Sequence, residues 1–315
     1  MRTGTELLAG VTVPLVTPMD AAGHPSAEDT RDLLDAMHTA GVRRLMLLGS
    51  NGEGPLIPTG LLAPFVEGVI AHWRSLCGES GVVTVNVTAP GTLDALHRAA
   101  IAASAGADAL VMSPPFYFRH RVDEIVGHYA ALAGTGLPVI AYNAPRYSNA
   151  VSAAVLDGLL QLDHVVGVKD SSDDVDWLRS FIDRSDGRAG FAVSQGAETK
   201  LVAGLDEGAA GITPGIANLA PGLSLRLVAA YEAGDRDEAQ RLQDRITELT
   251  KLHAIRPGTP AVKELLAQRS LCPPHVAPPL RRCTQAESAD LRGFMSPHED
   301  QLLRPMKGKS AWEQP

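Results

Sequence analysis

The chain has 315 residues, is 45% hydrophobic and 20% charged, and carries a net charge of −8 with a pI near 5.7. That composition suits a globular protein with a sizeable core. The acidic balance argues against a nucleic-acid partner, which needs a basic footprint, and no apolar run approaches the roughly 20 residues of a membrane span.

Short β-branched runs alternate with longer amphipathic stretches from the start of the chain. Strands are predicted at Val11–Thr17, Arg44–Leu48, Val82–Thr88, Ala109–Ser113, Pro138–Tyr142, Val165–Lys169, Phe191–Ser194 and Ala210–Thr213. A first helix is predicted to open at Ser26-Ala27-Glu28-Asp29, with the serine as N-cap and acids in the first turn. Leu33, Leu34, Met37 and Ala40 give its apolar stripe. Further helices are predicted near Leu61–Leu76, Thr92–Ala105, Asp123–Leu132, Ala153–Gln161, Asp174–Ile182, Glu198–Leu205 and Leu219–Ala233.

The strands are apolar on both faces, as parallel strands covered by helices must be. About eight βα units in about 230 residues predict an α/β fold, a (β/α)8 TIM barrel. A doubly wound open sheet is the competitor, but it would want a glycine-rich turn after the first strand. That turn here is Thr17-Pro18-Met19-Asp20. Beyond Gly234 the strands stop. Asp235–His253, Ala261–Gln268 and Gln285–Arg292 read as helices. The chain therefore divides into a barrel over 8–233, a C-terminal helical extension over 234–295, and a flexible polar tail over 296–315 containing Lys307-Gly308-Lys309-Ser310. Cys77, Cys272 and Cys283 form no CxxC pair, and MRTGTELLAGVTVPLV has no signal-peptide pattern, so a cytoplasmic protein with reduced thiols is expected.

Barrel active sites sit at the C-terminal ends of the strands. The sixth strand, Val165-Val166-Gly167-Val168, ends in Lys169-Asp170. A lysine there is either paired with an acid such as Asp170 or placed for chemistry. Desolvation at an apolar mouth disfavours an ammonium, and a neutral amine attacks a ketone to form a Schiff base. Tyr142 ends the neighbouring fifth strand, so its hydroxyl can serve as a proton shuttle or stand as a satisfied core phenol. Ser50 and Asn51 lie in the glycine-flanked turn GSNGEG, which reads as an anion nest or simply a tight turn.

Together VTPMDAAG (16–23), GSNGEG (49–54), SPPFY (113–117), YNAP (142–145) and GVKDSS (167–172) resemble the dihydrodipicolinate synthase/N-acetylneuraminate lyase family of class I, pyruvate-dependent barrels, over about residues 8–295. The resemblance implies that Lys169 forms an imine with pyruvate or another 2-oxo acid, and that Tyr142 is the general acid/base. It implies Ser50 in a proton relay with Tyr117 supplied across a tight dimer interface. Ser50 and Asn51 would hold the pyruvate carboxylate, and Gly196 and Thr213 would line its pocket. It implies no metal and no organic cofactor, and a homo-oligomer built as a dimer of dimers. The lysine-pathway synthase of this family carries an arginine two residues after the proline of Y-N-x-P. Tyr147 stands there, with Arg146 one residue early. Arg146 and Tyr147 could face a second carboxylate or a hydroxylated chain. Glu198 falls near an acid that sialic-acid lyases set against substrate hydroxyls, although a helix first turn favours an acid anyway. The leading expectation is a lyase of the 4-hydroxy-2-oxoglutarate or 2-keto-3-deoxy sugar acid aldolase type, acting on a small 2-oxo acid and an aldehyde. The alternatives are 4-hydroxy-tetrahydrodipicolinate synthase, a keto-deoxy sugar acid dehydratase, and a non-catalytic oxo-acid sensor.

Overall fold

The computed structural model describes residues 1–305. Eight parallel strands close into a barrel in sequence order: β1 Gly10–Pro14, β2 Arg44–Leu47, β3 Val82–Asn86, β4 Ala109–Met112, β5 Val139–Asn143, β6 Val165–Asp170, β7 Ala192–Gln195 and β8 Gly211–Ile212. Helices α1 Gly4–Leu8, α2 Arg31–Thr39, α3 Leu62–Cys77, α4 Thr92–Ser104, α5 Val122–Ala130, α6 Ala153–Leu159, α7 Val175–Ser185, α8 Leu201–Asp206 and α9 Pro221–Glu232 accompany the strands. The extension adds α10 Arg236–Thr250, α11 Leu252–Ile255, α12 Thr259–Ala267 and α13 Gln285–Met295.

Two apolar layers result from the strand period of two. One side of each strand packs outward on the helices: Leu45 and Leu47 of β2 join Phe65, Val69 and Trp73 of α3 there. The other side fills the barrel, where Met46, Val111, Ile140, Tyr142 and Ala192 cluster with Leu7 and Leu8 of α1. Thus α1, capped by Thr3 and Glu6, plugs the floor of the barrel, and Gly4 N donates to Gly190 O at 2.6 Å. Interior volume near the mouth is left to polar side chains.

Three details differ from expectation. The first large helix begins at Arg31, and Ser26 closes a separate turn in which its Oγ accepts from Asp29 N at 3.2 Å. The first strand ends at Pro14, since Val16 N turns to the Asn218 side chain at 2.9 Å. The described part of the expected tail, 296–305, packs on the body. Leu302 and Leu303 are buried, Leu303 N donates to Leu219 O at 2.7 Å, and Arg269 Nε donates to Leu303 O at 2.6 Å. Lys307–Ser310 lie outside the described residues. No described helix is long and apolar enough to cross a membrane.

Candidate active site

The barrel register sets Tyr142 of β5 directly beside Lys169 of β6, and Lys169 beside Ser194 of β7. Side chains of register partners share a face, so Tyr142 and Lys169 both point into the barrel near its mouth. Lys169 is 4% exposed and Tyr142 5%. The lysine Nζ stands 4.0 Å from the centroid of the tyrosine ring. Asp170, one residue on, faces the other way. Its carboxylate accepts from Asn143 Nδ2 at 2.6 Å and Ser172 Oγ at 2.8 Å. The Lys169–Asp170 pair left open by the sequence is therefore not made, because adjacent strand residues occupy opposite faces.

Burial pushes the Tyr142 phenol up, but the Lys169 charge and polar contacts with Ser50, Ser171 and Lys169 outweigh it, and the net direction is down. Ser50 Oγ lies 3.4 Å from the phenol oxygen. A phenol eased toward ionisation beside an amine is suited to moving protons at a bound carbonyl compound.

The turn holding Ser50 and Asn51 folds tightly. Gly54 N reaches Gly49 O at 3.3 Å, and Arg98 grips the next residues by donating to Gly54 O and Ile57 O at 3.0 and 2.9 Å. Gly54 has no room for a side chain, since a Cβ would lie 1.9 Å from Leu48 O. The amides of Ser50 and Asn51 donate to no backbone acceptor among the described residues, which leaves them for an anion. The Asn51 side chain packs on Gly215 instead of joining the polar network, with Nδ2 3.0 Å from where a Cβ would stand.

Two cavities meet at Tyr142, Ala144 and Tyr147. One, about 380 Å3, runs past Ser50 between Leu56, Phe116, Pro257, Pro260 and Leu280. The other, about 300 Å3, is lined by Arg146, Ser171, Gly196, Glu198 and Thr199. Arg146 and Tyr147 are both exposed at the rim. Glu198 accepts a hydrogen bond from Ile216 N; burial pushes its carboxyl up against that bond and the Lys169 charge. Gly196 presses on Lys169: a Cβ there would stand 3.1 Å from the lysine Cε. Thr213 is buried, its Oγ1 2.8 Å from Ser194 Oγ, and it lines neither cavity with its side chain. Tyr117 stands apart, 88% exposed with φ 83°, in edge contact with Phe118.

Sequence reasoning missed three contributors. Ser171 faces the phenol from the turn after β6. Thr259 sets its hydroxyl 3.5 and 3.4 Å from the carbonyls of Ser50 and Asn51. Glu53, buried in the same turn, pairs with Lys263 of α12. GVKDSS already held Ser171 and GSNGEG held Glu53, although neither motif shows their partners; nothing local marked Thr259.

A closed parallel barrel with an inward lysine on its sixth strand and a phenol over it defines the class of (β/α)8 lyases that work through a lysine imine. The sequence model of the dihydrodipicolinate synthetase family matches residues 7–296, and the chain belongs to that family. A Halobacterium salinarum protein described as an uncharacterised DapA-like lyase is 34% identical over 92% of this chain and 93% of its own length. The 4-hydroxy-tetrahydrodipicolinate synthase 1 of Streptomyces coelicolor is 29% identical over 88% and 90%. Among solved structures, the fold is shared with the E. coli K12 prophage protein YagE in complex with pyruvate (TM-score 0.86, 24% identity, covering 93% of this chain and 99% of that one). It is shared equally with a catalytic lysine mutant of Ruminococcus gnavus sialic acid aldolase (TM-score 0.85, 22% identity, 96% and 100%). The protein is a lyase of the Schiff-base class.

Proposed function

We propose that the chain reversibly cleaves a 2-oxo-4-hydroxy acid to pyruvate and an aldehyde through an imine on Lys169. The neutral Lys169 amine adds to the C2 ketone, Tyr142 gives its phenol proton to the departing hydroxyl, and water leaves, giving an iminium and a Tyr142 phenolate. Tyr142, as phenolate, takes the proton of the C4 hydroxyl. The C3–C4 bond breaks, its electrons pass into the iminium to give an enamine, and the aldehyde departs. Tyr142 returns the proton to C3, and water hydrolyses the imine to free pyruvate and the amine. Ser50 and Asn51 hold the carboxylate, and Ser50 passes protons to and from Tyr142. Gly196 and the Thr213 backbone shape the pyruvate end. The observation that carries this reading is the amine of Lys169 over the Tyr142 ring inside the barrel mouth.

The polar cavity with Ser171, Glu198 and Arg146 suits the oxygenated aldehyde half. The apolar cavity beside Ser50 suits an aromatic ring, and Tyr117 of a second copy is the ring proposed for it. An exposed Tyr117–Phe118 pair supports at least a dimer; a dimer of dimers rests on the family resemblance. Free cysteines at 77, 272 and 283 fit the reducing cytoplasm. Condensation with aspartate semialdehyde is disfavoured by Tyr147, which puts a phenol where the synthase has a guanidinium.

Borohydride reduction in the presence of pyruvate, read by intact mass and peptide mapping, tests the reading. A pyruvyl adduct on Lys169, lost in Lys169→Ala, is expected. No adduct with any 2-oxo acid sinks the imine and raises the sensor alternative.

A further inference from the structure

The turn that carries Ser50 and Asn51 is closed by its own backbone bonds, Glu53 N to Ser50 O at 3.2 Å and Gly54 N to Gly49 O at 3.3 Å, and is tied at its far end to another part of the chain. Glu53, three residues beyond Ser50, adopts a left-handed backbone with φ 56°, a conformation that needs outside support when the residue is not glycine. Its carboxylate is nearly sealed from solvent, and Oε2 accepts from Ala277 N at 2.7 Å. Its other oxygen pairs with the ammonium of Lys263, a lysine with 0% exposure. That ammonium also donates to His275 O at 2.7 Å. Every one of these partners belongs to the C-terminal extension. Thr259, at the start of the same helix α12, touches the turn from above through the carbonyls of Ser50 and Asn51.

A buried ion pair is a poor source of stability, because desolvation of the two charges offsets their attraction; apolar replacements of similar volume are often neutral. What such a pair supplies is direction. It fixes where Glu53 can sit, and the short stretch Ser50–Glu53 transmits that to the Ser50 hydroxyl and to the two free amides. Breaking the pair leaves the barrel wall intact and the Lys169–Tyr142 contact untouched, since neither β5 nor β6 takes part.

We propose that Glu53 and Lys263 are a positioning pair through which the C-terminal extension aims Ser50 at Tyr142 and the Ser50–Asn51 amides at the substrate carboxylate. The proposal rests on the imine reading above. It assigns the extension a part in proton transfer, although the extension contributes no group to the reacting atoms.

The test compares the wild type with Glu53→Leu/Lys263→Met, which removes both buried charges together. Three quantities are read on the full chain: the pyruvyl adduct trapped on Lys169, the KM for pyruvate, and deuterium uptake at pyruvate C3 in D2O. Circular dichroism reports the folded fraction. The double variant is expected to be trapped on Lys169 at saturating pyruvate. Its KM should rise about tenfold, and C3 exchange per folded molecule should fall about 100-fold, the usual cost of an ångström-scale misplacement. A purely structural pair would change only the folded fraction; KM and exchange within about twofold of wild type would overturn the proposal. Should the double variant not fold, Glu53→Gln, whose amide can accept from only one of the two donors Lys263 and Ala277 N and so gives up one tie to the extension, is expected to raise KM and lower exchange by more than about twofold, and values within about twofold of wild type overturn the proposal. If the wild type itself gives no adduct, the imine reading has failed and this proposal falls with it. An adduct with unchanged exchange would overturn the positioning role alone.

Discussion

The Nζ of Lys169 lies 4.0 Å from the centre of the Tyr142 ring, and the two residues are register partners across β5 and β6. This places an amine and a phenol side by side in the buried barrel mouth with no intervening element. The division of labour between them is testable. Tyr142→Phe keeps the ring under the lysine and removes only the proton-carrying oxygen. Pyruvyl trapping on Lys169 should therefore survive, while turnover falls by about 10²–10⁴, the range for losing a positioned acid/base. Single-turnover kinetics separate the two. Loss of trapping together with turnover would mean that the phenol is needed to form the imine as well.

Tyr117 makes a different prediction, because its side chain is 88% exposed while Lys169 is 4% exposed. If it serves the site of a second copy, Tyr117→Phe and Lys169→Ala should each be nearly inactive, yet mixtures of the two should regain activity on subunit exchange. In a hybrid dimer one site holds an intact lysine facing an intact tyrosine, so about a quarter of wild-type turnover is the statistical expectation. Mixtures as dead as their parents would remove the cross-subunit relay.

Gly196 tests the fit around the lysine stem. An added methyl would lie 2.3 Å from Ser171 Oγ, 2.7 Å from Asp170 O and 3.1 Å from Lys169 Cε. The backbone oxygen cannot yield cheaply, so the β7 turn must move and the lysine with it. Gly196→Ala should lower the rate of borohydride trapping at least about tenfold while melting as one cooperative unit, since small displacements of a reacting group cost that much or more. Unchanged trapping would show that the turn has slack.

What could be read from the sequence follows from the range of each interaction. The strands were legible because burial on both faces leaves continuous apolar runs, and Lys169 was legible because it interrupts such a run at its mouth end. α1 was not, since five residues carry no helical period; its capping pair Thr3 and Glu6 was the only local sign. The start of α2 was misplaced because Ser26 meets the same capping pattern in a turn that then breaks before Thr30. The packing of the tail's described part, 296–305, was not legible because its anchors, Leu219 O and the Arg269 guanidinium, lie on other elements. Glu53 looked like part of a tight turn, and its partner Lys263 sits on a helix that only the closed fold brings to it. Arg146 and Glu198 share a cavity wall, but their ligand depends on chemistry that no spacing encodes.

His128 yields a prediction about stability instead of turnover. It is buried on α5, with Nδ1 2.8 Å from Thr92 Oγ1. Burial, and secondarily the nearby His120, pulls its imidazole down from 6.5 to about 4. The folded protein therefore keeps this ring neutral in a range where the unfolded chain binds a proton. Unfolding takes up that proton between about pH 6.5 and about pH 4, so stability rises with pH across this window. The contribution is fully present above the unfolded value and is lost as pH falls through the window, to the extent of on the order of 3 kcal/mol. His128→Gln keeps an acceptor for Thr92 and cannot titrate. Urea unfolding at about pH 7.5 and about pH 4.5 should show the variant losing less stability on acidification than the wild type. Equal losses in the two proteins would mean that the ring finds solvent or an acid partner when protonated, and that acid sensitivity lies with other groups.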